Sequence, residues 1–258
     1  MPVNPLAVEG TDVVLRYDGT IAVDTSDFQV PAGQVTAVIG PNGSGKSTLL
    51  NGIAGLLQPL RGTITVHALH PSYVLQNTRV NESLPITVRE VVTMGRYPTV
   101  GAHGRLRSAD RDTVDRAMTR MGITHLSHRH LHDLSGGQRQ RVFIAQGLAE
   151  DHDLLLFDEP LTGLDLPSAK VIDEVIHEEP QRGHTVVLTT HDLSEAGQAD
   201  NVILMGGRVV SWGPPAEVLA SDNLIAAYGP GLMHMEAGQV FIDDPAHLEI
   251  PGRHNSGT

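Results

Sequence analysis

Three features of the chain predict an α/β fold built on a mainly parallel central sheet. Short apolar strand-like runs alternate with helical ones along most of the sequence. One such run, QVTAVIG at 34–40, passes into a glycine-rich turn and then a helix. With 40% apolar but only 3% aromatic residues among 258, the core has to be aliphatic. That length accommodates one large domain, or a core with a small subdomain attached.

Taken in order, residues 34–40 read as a buried strand. The segment KSTLLNGIAGLL reads as a helix with Leu49, Leu50, Ile53 and Leu57 on one face. The runs TITV and SYVLQ between 61 and 76 are β-like. SADRDTVDRAMTRMG predicts a second helix, capped by Ser108, striped by Val114, Ala117, Met118 and Met121, and stopped by Gly122. A third helix is expected to begin at DLSGGQRQR, residues 133–141, and to run to about Ala149. DLLLF at 153–157 is a continuous apolar run of the kind a buried parallel strand shows. PSAKVIDEVIHEE starts on proline and carries Val171, Ile172, Val175 and Ile176 at helical spacing. TVVLTTH is another strand, and NVILM-GG-RVVSW has the glycine pair of a hairpin. The organisation expected is one domain over 1–229, with a helical subdomain at about 77–150. A tail of uncertain order follows from 230 to 258.

Composition excludes several classes. There is no cysteine, hence no disulfide framework, thiolate nucleophile or cysteine-based metal site. The N-terminal MPVNPLAVEG lacks a secretion signal, and no apolar run approaches the roughly 20 residues of a membrane span. A net charge of −12 argues against non-specific nucleic-acid binding and against adhesion to anionic lipid. If the protein works at a membrane, another protein has to hold it there. Of 18 basic residues only Lys46 and Lys170 are lysine, which suits a site at position 46 that needs a compact ammonium.

Residues 40–48, GPNGSGKST, match G-x-x-x-x-G-K-[ST] between a strand and a helix, the context that gives the motif its meaning. In such a loop Gly40, Pro41, Asn42, Gly43, Ser44 and Gly45 turn backbone N–H groups toward phosphate oxygens, and the helix N-terminus adds positive potential. Lys46 is expected to bridge the β- and γ-phosphates, Ser47 to ligate Mg²⁺, and Thr48 to close the loop. At 154–159, LLLFDE, a buried strand delivers Asp158 to the sheet's C-terminal edge beside that loop. There Asp158 can hold the Mg²⁺ shell, while Glu159 orients the attacking water and draws its proton.

The stretch LSGGQ adds a second anion site. Ser135 is a good N-cap, yet Gly136 and Gly137 occupy the first turn, where each costs about 1 kcal/mol relative to alanine. A serine followed by bare backbone N–H groups at a helix start suits an anion. DLSGGQRQR upstream of LLLFDEP resembles the signature of the ATP-binding cassette (ABC) ATPases, and the resemblance spans roughly residues 10 to 229. It implies a P-loop NTPase core of RecA-like type, an antiparallel β-subdomain and an inserted α-helical subdomain. It also implies two subunits packed head to tail, a homodimer or pseudo-dimer. In that arrangement Ser135, Gly136, Gly137 and Gln138 face the γ-phosphate of ATP on the partner.

Further roles are implied residue by residue. Tyr17, in VVLRYDG, stands where the family places an adenine-stacking aromatic, the alternative being an ordinary core tyrosine. Gln76 matches the glutamine that reaches Mg²⁺, His191 the switch histidine that contacts the γ-phosphate, and Asp165 the aspartate that couples the two sites. Three departures stand out: a short stretch before Gln76, Gln146-Gly147 where relatives often have Arg-Ala, and Leu161 in DEPLTG. The second is expected to weaken the signature helix by about 1 kcal/mol.

A single cassette without a membrane segment most resembles the separate ATPase subunit of a bacterial transporter. Such a subunit sits peripherally on the cytoplasmic side of the membrane. It docks on an integral-membrane permease and, through that, serves an extracytoplasmic binding protein. SHRHLHD before the signature, in place of an acidic TEVGE-like segment, favours an importer. LPITVREVVTMGRYP and GPPAEVLASDNLIAAYG resemble the ATPases of manganese, zinc and iron uptake systems. Iron-siderophore and cobalamin importers share the GRYP stretch and remain the alternative, as does a soluble ATP-dependent switch. The histidine-rich HLSHRHLH at 125–132 is expected to be a solvated loop rather than a metal site, and His234, His247 and His254 lie in the tail.

Overall fold

The computed structural model describes residues 5–74, 85–101 and 104–229, together with two short strands at 233–236 and 239–242. Two long strands come first, β1 (Leu6–Tyr17) and β2 (Thr20–Pro31), joined by the Asp18-Gly19 turn, in which both residues have positive φ. β3 (Val35–Ile39) is wholly buried and leads into α1 (Lys46–Ile53). The helix expected to reach Leu57 stops at Ile53. Gly55, at φ 72°, reverses the chain there, and Leu56 and Leu57 both donate to the carbonyl of Asn51. Leu49, Leu50 and Ile53 form its buried face as expected.

β4 (Arg61–Val66) pairs with β1, so β2-β1-β4 form an antiparallel sheet of three strands. β5 (Pro71–Val74) instead joins the main sheet. The helical segment follows: α2 (Val88–Met94), α3 (Tyr97–Val100), α4 (Ser108–Arg120) and α5 (Gly136–Ala149). α2 starts on a reciprocal cap, in which Glu90 N–H donates to Thr87 Oγ1 and Thr87 N–H donates to Glu90 Oε2 at 2.7 Å. Ser108 is not the cap of α4. The helix is capped one residue earlier by Arg107, whose N–H donates to Asp110 Oδ2 at 2.9 Å, and Ser108 is its first helical residue. The acid at the third helical position accepts the amide of the N-cap residue, the acid's half of a capping box, and it complements the helix dipole. Gly122, at φ 63°, ends the turn after α4.

The remaining elements are β6 (Leu154–Phe157), α6 (Leu166–Glu178), β7 (Thr185–Thr190), α7 (Leu193–Gln198), β8 (Asn201–Met205) and β9 (Val209–Gly213). Two short helices, α8 (Pro215–Val218) and α9 (Ser221–Tyr228), precede a β10 (Met233–Glu236) and β11 (Gln239–Ile242) hairpin. The main sheet has the order β5-β6-β7-β3-β8-β9, parallel except for β9, which folds back on β8 through Gly206 and Gly207.

Two aliphatic cores lie on the two faces of this sheet. One packs β1, β2 and α1 against Val38, Leu154, Leu156, Val187 and Ile203. The other packs α2, α4, α5 and α6 against Ala37, Ile39, Leu155, Phe157 and Val186. Alternate residues of each strand therefore face opposite cores, and buried parallel strands are apolar on both sides.

Arg96, from the GRYP stretch, ties the helical segment together. Its buried guanidinium donates to Asp110 at 3.1 Å, to the Ala149 carbonyl at 2.8 Å and to Asp151 at 2.9 Å. One side chain thus joins the α2–α3 turn, the start of α4 and the end of α5. α5 runs unbroken through Gly147 to Ala149. A Cβ on Gly147 would lie 2.7 Å from Val74 Cγ2. The missing side chain is what lets α5 lie close against β5, so its propensity cost is offset by packing.

Candidate active site

β3 ends at Ile39, and the loop from Gly40 to α1 turns back on itself with Gly43 at φ 77° and Gly45 at φ 96°. Gly40 can carry no side chain, since a Cβ would run into the Met205 carbonyl and lie 2.8 Å from Ser44 Oγ. Gly45 is confined in the same way by the Ala22 carbonyl on β2. The loop is therefore braced between β8 and β2, with Asn42 and Gly43 exposed at its rim and Ser44, Lys46 and Thr48 buried.

Lys46 Nζ donates to the carbonyls of Gly40 at 2.8 Å and Pro41 at 3.2 Å. Burial pushes this ammonium below the ordinary lysine value, and the nearby carboxylates of Glu159 and Asp158 pull it back up. An ammonium curled over its own loop, facing two acids, is placed to meet further anionic oxygens.

β6 delivers Asp158 to the same edge, where its Oδ1 accepts from Ser47 Oγ at 3.0 Å and from Thr189 Oγ1 at 2.7 Å. The hydroxyl of Thr189 also accepts the Glu159 N–H at 2.8 Å. Glu159 itself holds φ 46°, a left-handed conformation that L-residues adopt at a cost of order 1–3 kcal/mol. Thr189 is thus a residue the sequence reading missed. It fixes Asp158 by its proton and fixes the strained turn at Glu159 by its oxygen. Only its position one strand over, two residues before His191 in TVVLTTH, pointed to it.

The donor set fits a nucleotide triphosphate with Mg²⁺. Ser44 Oγ is buried at the loop's centre without a protein partner, an orphan that a phosphate oxygen satisfies. Ser47 and Asp158 already converge as hard oxygen donors of the kind Mg²⁺ requires.

Tyr17 is 60% exposed at the end of β1, so it is not a core tyrosine. It pairs with Thr20 on the same β-hairpin whose Ala22 abuts Gly45, and its ring is available as a stacking platform. His191 is exposed just beyond β7. Its neighbours brace it: Asp192 caps α7 through the Ser194 N–H at 2.6 Å, and Thr190 Oγ1 donates to Glu195 at 2.5 Å. Burial raises the Glu195 carboxyl above the ordinary range despite that hydrogen bond. Gln76 lies outside the described residues.

At the signature, Ser135 caps α5. Its hydroxyl accepts the Gln138 N–H at 3.3 Å, and Gln138 Oε1 accepts the Ser135 N–H at 3.1 Å. The two glycines have different reasons. A Cβ on Gly136 would meet open space, so its backbone is free to face a ligand, whereas one on Gly137 would lie 2.6 Å from Asp165 Oδ1 and 2.7 Å from Ser168 Oγ. Asp165, the N-cap residue of α6, therefore packs against the signature of its own chain. Among the described residues, no hydrogen bond joins Ser135–Gln138 to the phosphate loop.

The family model for ABC transporters matches residues 23–162, which span both the phosphate loop and the signature. This chain belongs to the ABC transporter ATPase family. A manganese transport system ATP-binding protein of Listeria innocua is 32% identical over 88% of this chain and 98% of its own length. A chelated iron transport system protein of Yersinia pestis is 34% identical over 94% of the chain and 86% of its own length. Among solved structures, an inward-facing metal-chelate-type ABC transporter superposes with a TM-score of 0.79 at 27% identity, covering 93% of this chain and 96% of the other. The ATPase core, with its mixed parallel and antiparallel sheets, is thus the architecture expected from the sequence. Among the described residues no helix is long and apolar enough to cross a membrane.

Proposed function

We propose that this ABC ATPase powers the import of a divalent metal ion, manganese, zinc or iron, through a separate integral-membrane permease. It would do so as a dimer held peripherally at the cytoplasmic side of the membrane, with an extracytoplasmic binding protein acting upstream. The observation that carries the reading is the similarity, over nearly the whole chain, to a protein named as a manganese transport ATP-binding protein and to one named for chelated-iron transport. A metal chelate as cargo is the second reading, favoured by the Yersinia relative and by the metal-chelate-type structural neighbour.

In this reading the backbone of residues 40–45 and the start of α1 cradle the phosphates of ATP, and Tyr17 stacks on the base. Ser47, Asp158 and Gln76 would hold Mg²⁺, which supplies charge neutralisation on the β- and γ-phosphate oxygens. Lys46 meets the same oxygens. Glu159 orients water for in-line attack and draws its proton, and His191 contacts the γ-phosphate. Ser135, Gly136, Gly137 and Gln138 close the cage from the partner subunit, with Asp165 linking one site to the other. Half the cage is thereby contributed in trans, so an isolated chain hydrolyses slowly.

The test is metal uptake into cells or proteoliposomes carrying the permease with either the native chain or Lys46→Ala. ATP-dependent uptake of Mn²⁺, Zn²⁺ or Fe²⁺ lost in the variant supports the reading. ATP hydrolysis that drives no metal or chelate uptake with any co-purifying permease refutes it.

A further inference from the structure

Two histidines outside the HLSHRHLH run converge at the other edge of the sheet. His152 precedes β6, His184 precedes β7, and Glu179 caps the C-terminus of α6. Glu179 is wholly buried. Its Oε2 lies 3.1 Å from His152 Nε2 and 2.5 Å from His184 Nδ1, and its Oε1 lies 2.6 Å from Arg120 Nη1. The two rings meet edge to face with centroids 4.6 Å apart. The three donor atoms all lie within 4.8 Å of one another, the single such cluster among the described residues.

The His152 ring is almost fully buried, and both ring nitrogens face acceptors: Nδ1 the Glu150 carbonyl at 2.9 Å, Nε2 the Glu179 carboxylate at 3.1 Å. A neutral imidazole has one N–H and can satisfy only one of these oxygens; the second is met either by a protonated ring or by a cation between ring and carboxylate. If the carbonyl takes the Nδ1 proton, the Nε2 lone pair points inward at Glu179. That is the outer hydrogen bond a metal-binding histidine makes. Arg120 plays the matching part for the carboxylate, neutralising one oxygen and leaving the other to coordinate.

We propose that His152, His184 and Glu179 form a binding site for a divalent transition-metal cation of the Zn²⁺ class, separate from the nucleotide site. Two neutral imidazoles and one carboxylate are the ligand set that Zn²⁺ and Fe²⁺ accept and that Mg²⁺ does not favour. Zinc–ligand bonds of about 2.0–2.1 Å place tetrahedral ligand atoms about 3.3 Å apart, so seating the ion needs only ring shifts of roughly an ångström. Access is open: the cluster lines a cavity of about 660 Å³ whose wall also includes His70, Glu150 and Asp151. The backbone beneath is fixed, since the Glu179 carbonyl accepts the N–H groups of Arg182 and His184. A bound ion would fasten the end of α6 to the β6–β7 edge and, through Arg120, to α4.

The test is Zn²⁺ calorimetry on the full chain without nucleotide, comparing the native protein with His152→Gln/His184→Gln. Loss of one equivalent in the double variant, with the native equivalent unaffected by excess Mg²⁺, is the expected result. His184→Gln alone, at the more exposed ring, gives the same loss if the double variant fails to fold. As a control, His128→Gln/His130→Gln/His132→Gln keeps the equivalent. Unchanged stoichiometry in both His184 variants, or no Zn²⁺ bound by the native chain, overturns the site and shows an ion-pair cluster only. Neither outcome bears on the importer reading, because neither nucleotide nor permease is present.

Discussion

The strands β6 and β7 carry chemistry at both ends, and the two ends are built differently. At the C-terminal edge Asp158 is held by the hydroxyls of Ser47 and Thr189, with Lys46 nearby and Glu159 in a strained turn. At the N-terminal edge Glu179 is held by two imidazoles and a guanidinium. Hydroxyls and a single ammonium leave an acid hard, oxygen-rich and ready for Mg²⁺ and phosphate. Imidazoles make a softer nitrogen-rich site. The same pair of parallel strands therefore separates two kinds of cation chemistry by one strand length.

The largest effect is expected from removing the proposed base at the C-terminal edge. Glu159→Gln is expected to lower ATP turnover by about 10²- to 10⁴-fold while leaving ATP binding near native, as single-turnover and equilibrium-binding assays will register. Thr189→Val comes next. It keeps the shape but frees Asp158 and the Glu159 amide, so turnover should fall about tenfold, with the Mg²⁺ requirement for half-maximal rate rising. A variant with native Mg²⁺ dependence would show that Thr189 does not position the ligand.

Away from both ends, Gly147→Ala drives a methyl group into Val74. Despite alanine's better helix propensity, the protein should lose about 1–3 kcal/mol of stability through overpacking, visible in thermal unfolding. A gain in stability would mean that α5 can shift away from β5.

The smallest expected effect is on acid stability, and it sharpens the contrast from the other edge. Burial pushes the Glu179 carboxyl up, but in the ion-free cluster, where the imidazoles donate to it, the hydrogen bonds from His152 and His184 and the charge of Arg120 outweigh it, bringing it down from 4.5 to about 2. Asp151 is depressed by its hydrogen bonds to Arg96, and Asp110 by the Arg107 amide and Arg96. A depressed carboxyl stabilises the fold above its unfolded pKa and loses that contribution as pH falls. Stability should therefore decline from about pH 4.5 toward 2, and Glu179→Gln should flatten that decline in a denaturant titration. Burial raises Glu150 and Glu195, which shifts their contribution the opposite way and offsets part of the loss.

Much of the nucleotide edge was legible in the sequence because its chemistry is local. Glycines at 40, 43 and 45, a lysine and a serine follow one buried strand, and two acids end another. What stayed hidden depends on strands meeting. Thr189 matters only because β7 lies beside β6. His152, Glu179 and His184 are 27 and 5 residues apart along the chain and meet only through that same pairing. The conspicuous run at 125–132 drew notice instead. Its His130 and His132 stack on each other, but none of its residues belongs to the cluster. Propensity alone also falls short where packing and capping decide: Gly147 lets α5 lie against Val74, and α4 starts from Arg107, whose amide Asp110 accepts, rather than from Ser108.

In the proposed mechanism the Ser135–Gln138 anion site serves a phosphate bound to another copy of the chain. The most direct measurement is the solution mass of Glu159→Gln by light scattering, with and without ATP. A monomer without nucleotide and a doubling of mass with it, abolished by Ser135→Arg, is the expected result. A mass that stays monomeric while ATP is demonstrably bound would contradict closure in trans by the signature.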